Sequence, residues 1–247
     1  MTAVSESYYS PAERYVTCGT VDNVEGKLDT FFTVPEGEKR RIKWLSGHMG
    51  FGLHEHLPQP AVYITLLRNP IDRLLSSFYF NKNIDFGPFH EEIKSGRMGL
   101  REYVQHFIDV ETDNMQTRMV SGNWHKKGSG RCTPEMLALA KENLRRHFLL
   151  VGLTERFDEF YFLLRHKMQW PWTWHIKHNV TRKRPGLESL SPEMRRFLEE
   201  STQYDRALYG YAAALFEQQL AESDSRFRLE LAIYKAGNGL NKLYWQL

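Results

Sequence analysis

The chain has 247 residues, of which 41% are hydrophobic and 26% are charged, and these proportions exclude a disordered or fibrous protein. Lys and Arg exceed Asp and Glu by only three charges, which argues against a protein that coats nucleic acid. The two cysteines, Cys18 and Cys132, form no CxxC pair, so a disulfide framework and a four-cysteine zinc site are both excluded.

The chain shows no membrane or secretion signal. No window reaches 18 consecutive apolar residues, and the N-terminal MTAVSESYYSPAERY lacks the apolar centre of a signal peptide. The sequence therefore predicts a cytoplasmic protein without a membrane span. Because it contains no internal repeat and no low-complexity tract, we interpret residues 1–247 as a single domain. The sequence does not predict an oligomeric state.

Four short runs rich in β-branched and aromatic residues predict strands: residues 15–20, 42–47, 61–68 and 148–153. The last two are apolar almost throughout, as in strands that are buried on both faces. Longer segments that can carry helices separate the runs. This alternation predicts an α/β protein with a parallel sheet flanked by helices.

A helix is predicted directly after the third strand. Pro70 opens it, and apolar residues recur at helical spacing from Ile71 to Tyr79. Helices are predicted to begin at Pro134 and Pro192, since each proline follows a hydroxyl residue that can cap the helix.

Further helices are predicted over residues 155–167, with Thr154 as N-cap, and over residues 203–219. The C-terminal half is therefore expected to be rich in helix.

The junction between the third strand and its helix carries the main chemical signal. Arg68 lies at the carboxyl end of the strand, beside a helix N-terminus with unpaired N–H groups, and this combination favours an anion such as phosphate. Ser76 lies on the flank of the helix away from the apolar stripe, so its hydroxyl can donate to the same anion. The alternative is that Arg68 pairs with Asp72 and Ser76 is merely exposed.

These residues resemble a known family. The strand-Arg-Asn-Pro-x-x-Arg-x-x-Ser pattern of residues 61–80 resembles the 3′-phosphate-binding segment of sulfotransferases that use 3′-phosphoadenosine 5′-phosphosulfate (PAPS), especially the heparan sulfate 2-O-sulfotransferase branch. Residues 46–51 resemble its Gly-His segment, residues 113–119 its Asn-x-Gln-x-Arg helix, and residues 150–155 its Val-Gly-x-Thr-Glu segment. Four motifs in family order make coincidence improbable.

The resemblance implies a P-loop-NTPase-like sheet and a role for each motif. Arg68 and Ser76 would hold the 3′-phosphate of the cofactor. His48 would be the general base that removes the proton of an acceptor hydroxyl, a task that suits imidazole because its pKa is near neutrality. A histidine that only forms hydrogen bonds in a loop is the alternative. The chemistry requires no metal.

Two further sets of residues are candidates for ligand binding. The basic run of residues 177–186 resembles a loop that closes over the nucleotide, with Thr181, Arg182 and Arg184 as cofactor-binding residues; a solvated charge run is the alternative. The second set could line the acceptor or nucleotide cleft, although residues spaced by two cannot all share one helical face. It consists of Asn114, Gln116 and Arg118.

One family element is absent. Similar enzymes begin with a central strand and a Lys-containing, Gly-rich loop that grips the 5′-phosphosulfate, and no such segment occurs here. We expect either that the sequence begins too late, which we favour, or that this is a loop-less relative. Loss of the central strand would leave unpaired backbone groups unless another segment fills the gap.

The sequence thus predicts a sulfotransferase that moves a sulfuryl group from PAPS to an acceptor hydroxyl, which could belong to a carbohydrate, and releases 3′-phosphoadenosine 5′-phosphate (PAP). Nucleic acid is not an expected partner. The alternatives are a loop-less nucleotide-binding or interaction module and a P-loop-type kinase, although a kinase would require a Gly-rich loop with Lys and a magnesium-binding acid.

Overall fold

A computed structural model describes residues 8–17, 27–83, 89–110, 112–124, 130–171 and 186–244. Its strands are β1 (Arg14–Val16), β2 (Trp44–Ser46), β3 (Tyr63–Leu67) and β4 (Phe148–Leu153). Its helices are α1 (Lys27–Thr33), α2 (Glu36–Lys39), α3 (Pro70–Asn83), α4 (His90–Lys94), α5 (Leu100–Asp109), α6 (Met115–Ser121), α7 (Pro134–His147), α8 (Phe157–Met168), α9 (Pro192–Ser201), α10 (Gln203–Ala221) and α11 (Ser225–Tyr244). Short 3₁₀ turns lie at Pro11–Glu13, Leu53–His56, Thr154–Arg156 and Leu187–Ser189.

The strands form two parallel pairs. β1 pairs with β2, and Arg14 lies opposite Trp44. β3 pairs with β4, with Leu67 opposite Leu153 and an irregularity between Tyr63 and Ile64. The predicted parallel pairing and the α/β class are confirmed. Within the described ranges, however, the strands do not form one continuous sheet, so the P-loop-NTPase-like arrangement stays a prediction.

The predicted helix starts are confirmed where a hydroxyl residue precedes a proline. The Thr133 hydroxyl accepts a hydrogen bond from the Met136 amide at 3.3 Å, and the Ser191 hydroxyl accepts one from Met194 at 3.1 Å. Each bond satisfies one of the backbone N–H groups that the first turn of a helix leaves unpaired.

The expectation that Thr154 caps a helix is wrong. Thr154 begins a 3₁₀ turn ahead of α8, and its hydroxyl donates to the Leu67 carbonyl at 3.2 Å. Because the Thr154 hydroxyl bonds to the carbonyl at the end of β3, it links the carboxyl ends of β3 and β4 and does not cap α8.

Two groups of buried side chains form the core. The larger surrounds β4 and packs α8 and α10 against it, with Trp44 from β2 and Trp170 at its border. The smaller joins α3, α5 and α9 through Ile71, Leu75 and Tyr103. The apolar stripe predicted after Pro70 faces this second group, so α3 is held on one side and is free to present polar residues on the other.

Gly152 lies where β4 and α8 approach most closely. A Cβ atom at this position would overlap the ring of Phe160, which is only 1% exposed. We expect Gly152→Ala to lower the free energy of unfolding by about 1–3 kcal/mol, the usual cost of overpacking a core. Urea denaturation measures this loss, and the exposed Gly37, which has open space at its Cβ position, provides the control substitution. An unchanged urea midpoint for Gly152→Ala would contradict this packing.

None of the helices within the described residues combines the length and the apolar character needed to cross a bilayer.

Candidate functional site

Three of the segments singled out in the sequence meet at the turn between β3 and α3. The side-chain amide of Gln116, on α6, accepts a hydrogen bond from the Arg68 amide and donates one to the Arg68 carbonyl, both at 2.9 Å. The Glu155 carboxylate accepts from the Asn69 amide at 2.8 Å. These bonds satisfy backbone groups that neither the strand nor the helix can pair, and they fix the turn in place.

The turn also begins α3. The side chain of Asn69 accepts from the Asp72 amide at 3.1 Å, and its carbonyl accepts from the Arg73 amide at 2.8 Å. Asn69 therefore acts as the N-cap of the helix. Because Tyr209 on α10 donates to the other oxygen of Glu155 at 3.1 Å, the turn is braced by α6, by the end of β4 and by α10.

The side chain of Arg68 is partly exposed and pairs with Asp72. Its Nε atom lies 2.7 Å from Oδ2 of Asp72, and Nη2 lies 2.5 Å from the same oxygen. Nη1 has no partner among the described residues, so it remains able to donate to a phosphate. The pair with Asp72 corresponds to the alternative raised by the sequence, and it leaves the assignment of Arg68 to the 3′-phosphate untested.

Ser76 lies two turns along α3 and is partly exposed. In the part of the chain that the structure describes, its hydroxyl makes no hydrogen bond. Neither Ser76 nor Arg68 lines the cavity that contains His48. The phosphate site that these two residues would form is therefore separate from that cavity.

A cavity of about 550 Å³ lies between β2 and β3. It extends from the amino ends of the strands, near Ile42 and Pro60, to their carboxyl ends, near His48 and Leu67. Over the described ranges, β2 pairs only with β1 and β3 only with β4. Within these ranges, a gap therefore separates the two strand pairs, and the cavity occupies it.

The cavity has orphaned polar groups on one wall. Trp44 Nε1 and Ser46 Oγ are buried and find no hydrogen-bond partner among the described residues, and both residues line the cavity. An unpaired buried polar group costs about 1–3 kcal/mol. A polar ligand that bonds to these atoms would offset that cost, so this wall suits a nucleotide or a sugar better than an apolar molecule.

His48 follows β2 directly and lies at the carboxyl end of the cavity. Its side chain remains accessible to solvent. Partial burial and, to a lesser degree, the positive charge of Arg73 lower the pKa of His48 below its ordinary value. The imidazole is therefore neutral near pH 7 and can accept a proton, as a general base must.

Of the three residues predicted to bind the acceptor, only Gln116 lines this cavity. Asn114 is 7% exposed, and its side-chain oxygen accepts from the Tyr204 and Asp205 amides, both at 3.0 Å. It thus caps the first turn of α10. Its left-handed backbone, with φ of 47°, suits asparagine better than most residues.

Arg118 is 1% exposed and bonds within the fold. Its Nη2 atom lies 2.6 Å from Asp113 Oδ1, and its Nε atom donates to the Asp113 carbonyl at 2.8 Å. These interactions of Asn114 and Arg118 are internal to the protein. Their assignment to acceptor binding stays a prediction. In the structure, Asn114 caps α10 and Arg118 binds the Asp113 segment.

We expect Arg118→Ala to lower the free energy of unfolding by about 3–5 kcal/mol, because it leaves the Asp113 carboxylate buried without its cation. Arg145→Ala is the matched control, since Arg145 pairs with Glu142 on the surface, where such pairs contribute about 0–1 kcal/mol. Thermal or urea unfolding distinguishes the two variants. Equal effects would contradict a buried structural role for Arg118.

The basic loop predicted to cover the nucleotide lies outside the described residues, except for Gly186. Thr181, Arg182 and Arg184 therefore stay predictions.

Two residues of the site were missed by the sequence analysis. Arg73 lines the cavity with His48, and Asp205 anchors α6 by accepting from both Thr117 donors. Arg73 is the second arginine of the Arg-Asn-Pro-x-x-Arg motif. The motif therefore contained this residue, but the sequence provided no reason to assign it a role. Asp205 lies 88 residues from Thr117, and no sequence pattern links the two.

Comparison with known proteins gives a consistent picture. Residues 28–238 match the family described as galactose-3-O-sulfotransferase. Galactose-3-O-sulfotransferase 2 of Sus scrofa is 27% identical over 210 residues, which make up 81% of this chain and 52% of that protein. Its human counterpart is 25% identical over 201 residues, or 77% and 49% of the two chains.

A relative from the heparan sulfate branch also matches. Heparan sulfate 2-O-sulfotransferase hst-2 of Caenorhabditis elegans is 32% identical over 114 residues, or 42% of this chain and 33% of that protein. The sequence-based resemblance to sulfotransferases is confirmed. The chain spans about half the length, or less, of these curated relatives.

Proposed function

The chain belongs to the galactose-3-O-sulfotransferase family, and from this premise we propose that it transfers a sulfuryl group from PAPS to a hydroxyl of a carbohydrate. The observation that carries the proposal is the position of His48 at the carboxyl end of a cavity of about 550 Å³. The volume lies in the usual range for small-molecule sites, about 300–1,000 Å³. A sugar ring fits such a space.

His48 acts as the general base. A hydroxyl of the acceptor gives its proton to the imidazole while its oxygen forms a bond to sulfur. The bond between sulfur and the 5′-phosphate oxygen breaks, and its electron pair leaves with PAP. Because burial and Arg73 lower the pKa of His48, the base is unprotonated when the acceptor arrives.

Arg68 and Ser76 would hold the 3′-phosphate that distinguishes PAPS from other adenine nucleotides. Nη1 of Arg68 and the Ser76 hydroxyl, neither of which is bonded to another described residue, are suitable donors for a phosphate. Gln116 would act indirectly, since its amide holds the Arg68 backbone through two bonds of 2.9 Å. PAPS supplies the sulfuryl group, and Arg68 and Ser76 would hold its 3′-phosphate in place.

The test is an assay of transfer from radiolabelled PAPS to an oligosaccharide that ends in galactose. We expect label in the oligosaccharide, and a matched oligosaccharide ending in 3-deoxygalactose should take up none if the acceptor position is the one in the family name. Calorimetric titration with PAP, 5′-AMP and ATP accompanies the assay. Tighter binding of ATP than of PAP would contradict the proposal and favour a kinase.

A second candidate, a nucleotide-binding module without efficient transfer, rests on the gap between β2 and β3 within the described ranges. Each donor that a site fails to supply to a developing charge costs about 10²–10³ in rate. PAP binding without transfer would favour this module. Absence of PAP binding would contradict both functions.

A further inference from the structure

Within the described residues, Arg73 is a partly buried cation that forms no ion pair. It projects from the first turn of α3, and burial is the main cause that lowers the pKa of its guanidinium. Among the described residues, the one hydrogen bond of the Arg73 side chain joins Nη2 to the sulfur of Met115. A sulfur atom is a weak acceptor and carries no charge. Most of the donors of this guanidinium are therefore unused.

The acid that acts on Arg73 through its charge, Asp205, forms no ion pair with it within the described residues. Asp205 is close enough to influence it electrostatically, and so are Tyr103 and Arg68. The Asp205 carboxylate, however, accepts from the Thr117 amide at 2.7 Å and from the Thr117 hydroxyl at 2.8 Å. Burial raises the pKa of Asp205, which works against a full negative charge. Arg68 adds a second cation near Arg73.

Removing a cation even partly from water is costly unless an anion pairs with it. Arg73 lines the wall of the cavity that also contains His48 and Gln116. The positive charge of Arg73 also acts on His48 and lowers its pKa. An anion bound between the two side chains would pair with the guanidinium and would also favour the protonated imidazole.

We propose that Arg73, with His48 beside it, binds a tetrahedral oxyanion of the sulfate type in the cavity between β2 and β3. The inference rests on the proposed function and adds a residue to it. Two sources share this chemistry: the sulfuryl group of the donor and a sulfate ester already present on the acceptor. In either case the bound oxygens accept from the guanidinium, which gives charge-assisted bonds of the stronger kind.

The test measures the pKa of His48 by NMR titration of its imidazole, in sodium sulfate and in sodium chloride of equal ionic strength. We expect sulfate to raise the pKa of His48 by about one unit, the order of effect that an opposite charge produces at close range. In Arg73→Met, the pKa of His48 should already be higher than in the wild type, and sulfate should not change it. Arg73→Lys retains the charge and should retain part of the response.

The wild-type titration decides the matter even if a variant fails to fold. A His48 pKa that is the same in sulfate and chloride would overturn the inference. Competition then identifies the source: displacement of sulfate by PAPS but not by PAP supports the donor, and displacement by a sulfated but not an unsulfated galactoside supports the acceptor. If neither displaces it, sulfate is an adventitious ion only and the inference fails.

Failure of the inference and failure of the proposed function give different results. If the protein transfers sulfuryl groups but sulfate does not change the pKa of His48, the proposed role of Arg73 is wrong and the proposed transferase function stands. If sulfate raises the pKa of His48 but no sulfuryl transfer is detected, the anion site is supported and the proposed transferase function is wrong.

Discussion

Replacing His48 with alanine is expected to lower kcat for sulfuryl transfer by about 10²–10⁴, the usual contribution of a general base. The affinity for PAP should stay unchanged, because the proposed anchors of the nucleotide, Arg68 and Ser76, do not line the cavity of His48. His56→Ala is the matched control, since His56 lies in the same loop region but is exposed and does not line the cavity. Initial rates and calorimetry measure the two effects separately.

The pH profile provides a second check on His48. The acid limb of kcat/KM reports the pKa of the base in the free enzyme. Burial and Arg73 lower that pKa, so the limb should lie below the ordinary imidazole value of about 6.5, and His48→Ala should abolish it. A limb above that value, or one that survives in His48→Ala, would assign the base to another residue.

Replacing Arg68 with alanine is expected to weaken PAP binding about 10- to 150-fold. This range corresponds to the loss of about 1.5–3 kcal/mol from hydrogen bonds to a charged group. Binding of 5′-AMP should change little, because AMP lacks the 3′-phosphate. The selectivity of the loss is the critical result, and calorimetric titration with both nucleotides measures it.

Two variants make the Arg68 experiment specific. Arg145→Ala removes an exposed arginine that is also paired with a carboxylate, and it should leave PAP binding unchanged. Asp72→Asn removes the charge of the partner of Arg68 without removing its side chain, and it should strengthen PAP binding if Asp72 competes with the phosphate. Equal loss of PAP and AMP affinity in Arg68→Ala would show that the variant disturbs the turn as a whole.

Local patterns predicted the elements of the fold well. The Thr-Pro and Ser-Pro pairs mark the starts of α7 and α9 because the cap and the proline act within one turn. The strands were located correctly because runs of β-branched and aromatic residues are also a local signal, although β2 and β3 are shorter than predicted. Their arrangement into separate pairs depends on contacts between distant segments, which periodicity cannot reveal.

The site was predicted only in part. The motif led to His48 and to the Arg68 turn, and the structure adds the physical reason for the Gln116 motif, whose amide holds Arg68 in place. Asn114 and Arg118 have internal partners because α6 must attach to α10 and to the Asp113 segment. Those partners are close in space but not in sequence. The same limit hid the position of Arg73 in the wall of the cavity.

A crystal structure of the protein with PAP tests the central claim most directly, namely that the turn between β3 and α3 recognises the 3′-phosphate. The account predicts 3′-phosphate oxygens within about 2.7–3.2 Å of an Arg68 guanidinium nitrogen and of the Ser76 hydroxyl. A nucleotide whose 3′-phosphate lies elsewhere, with Arg68 bound only to Asp72 and Ser76 facing solvent, would contradict it.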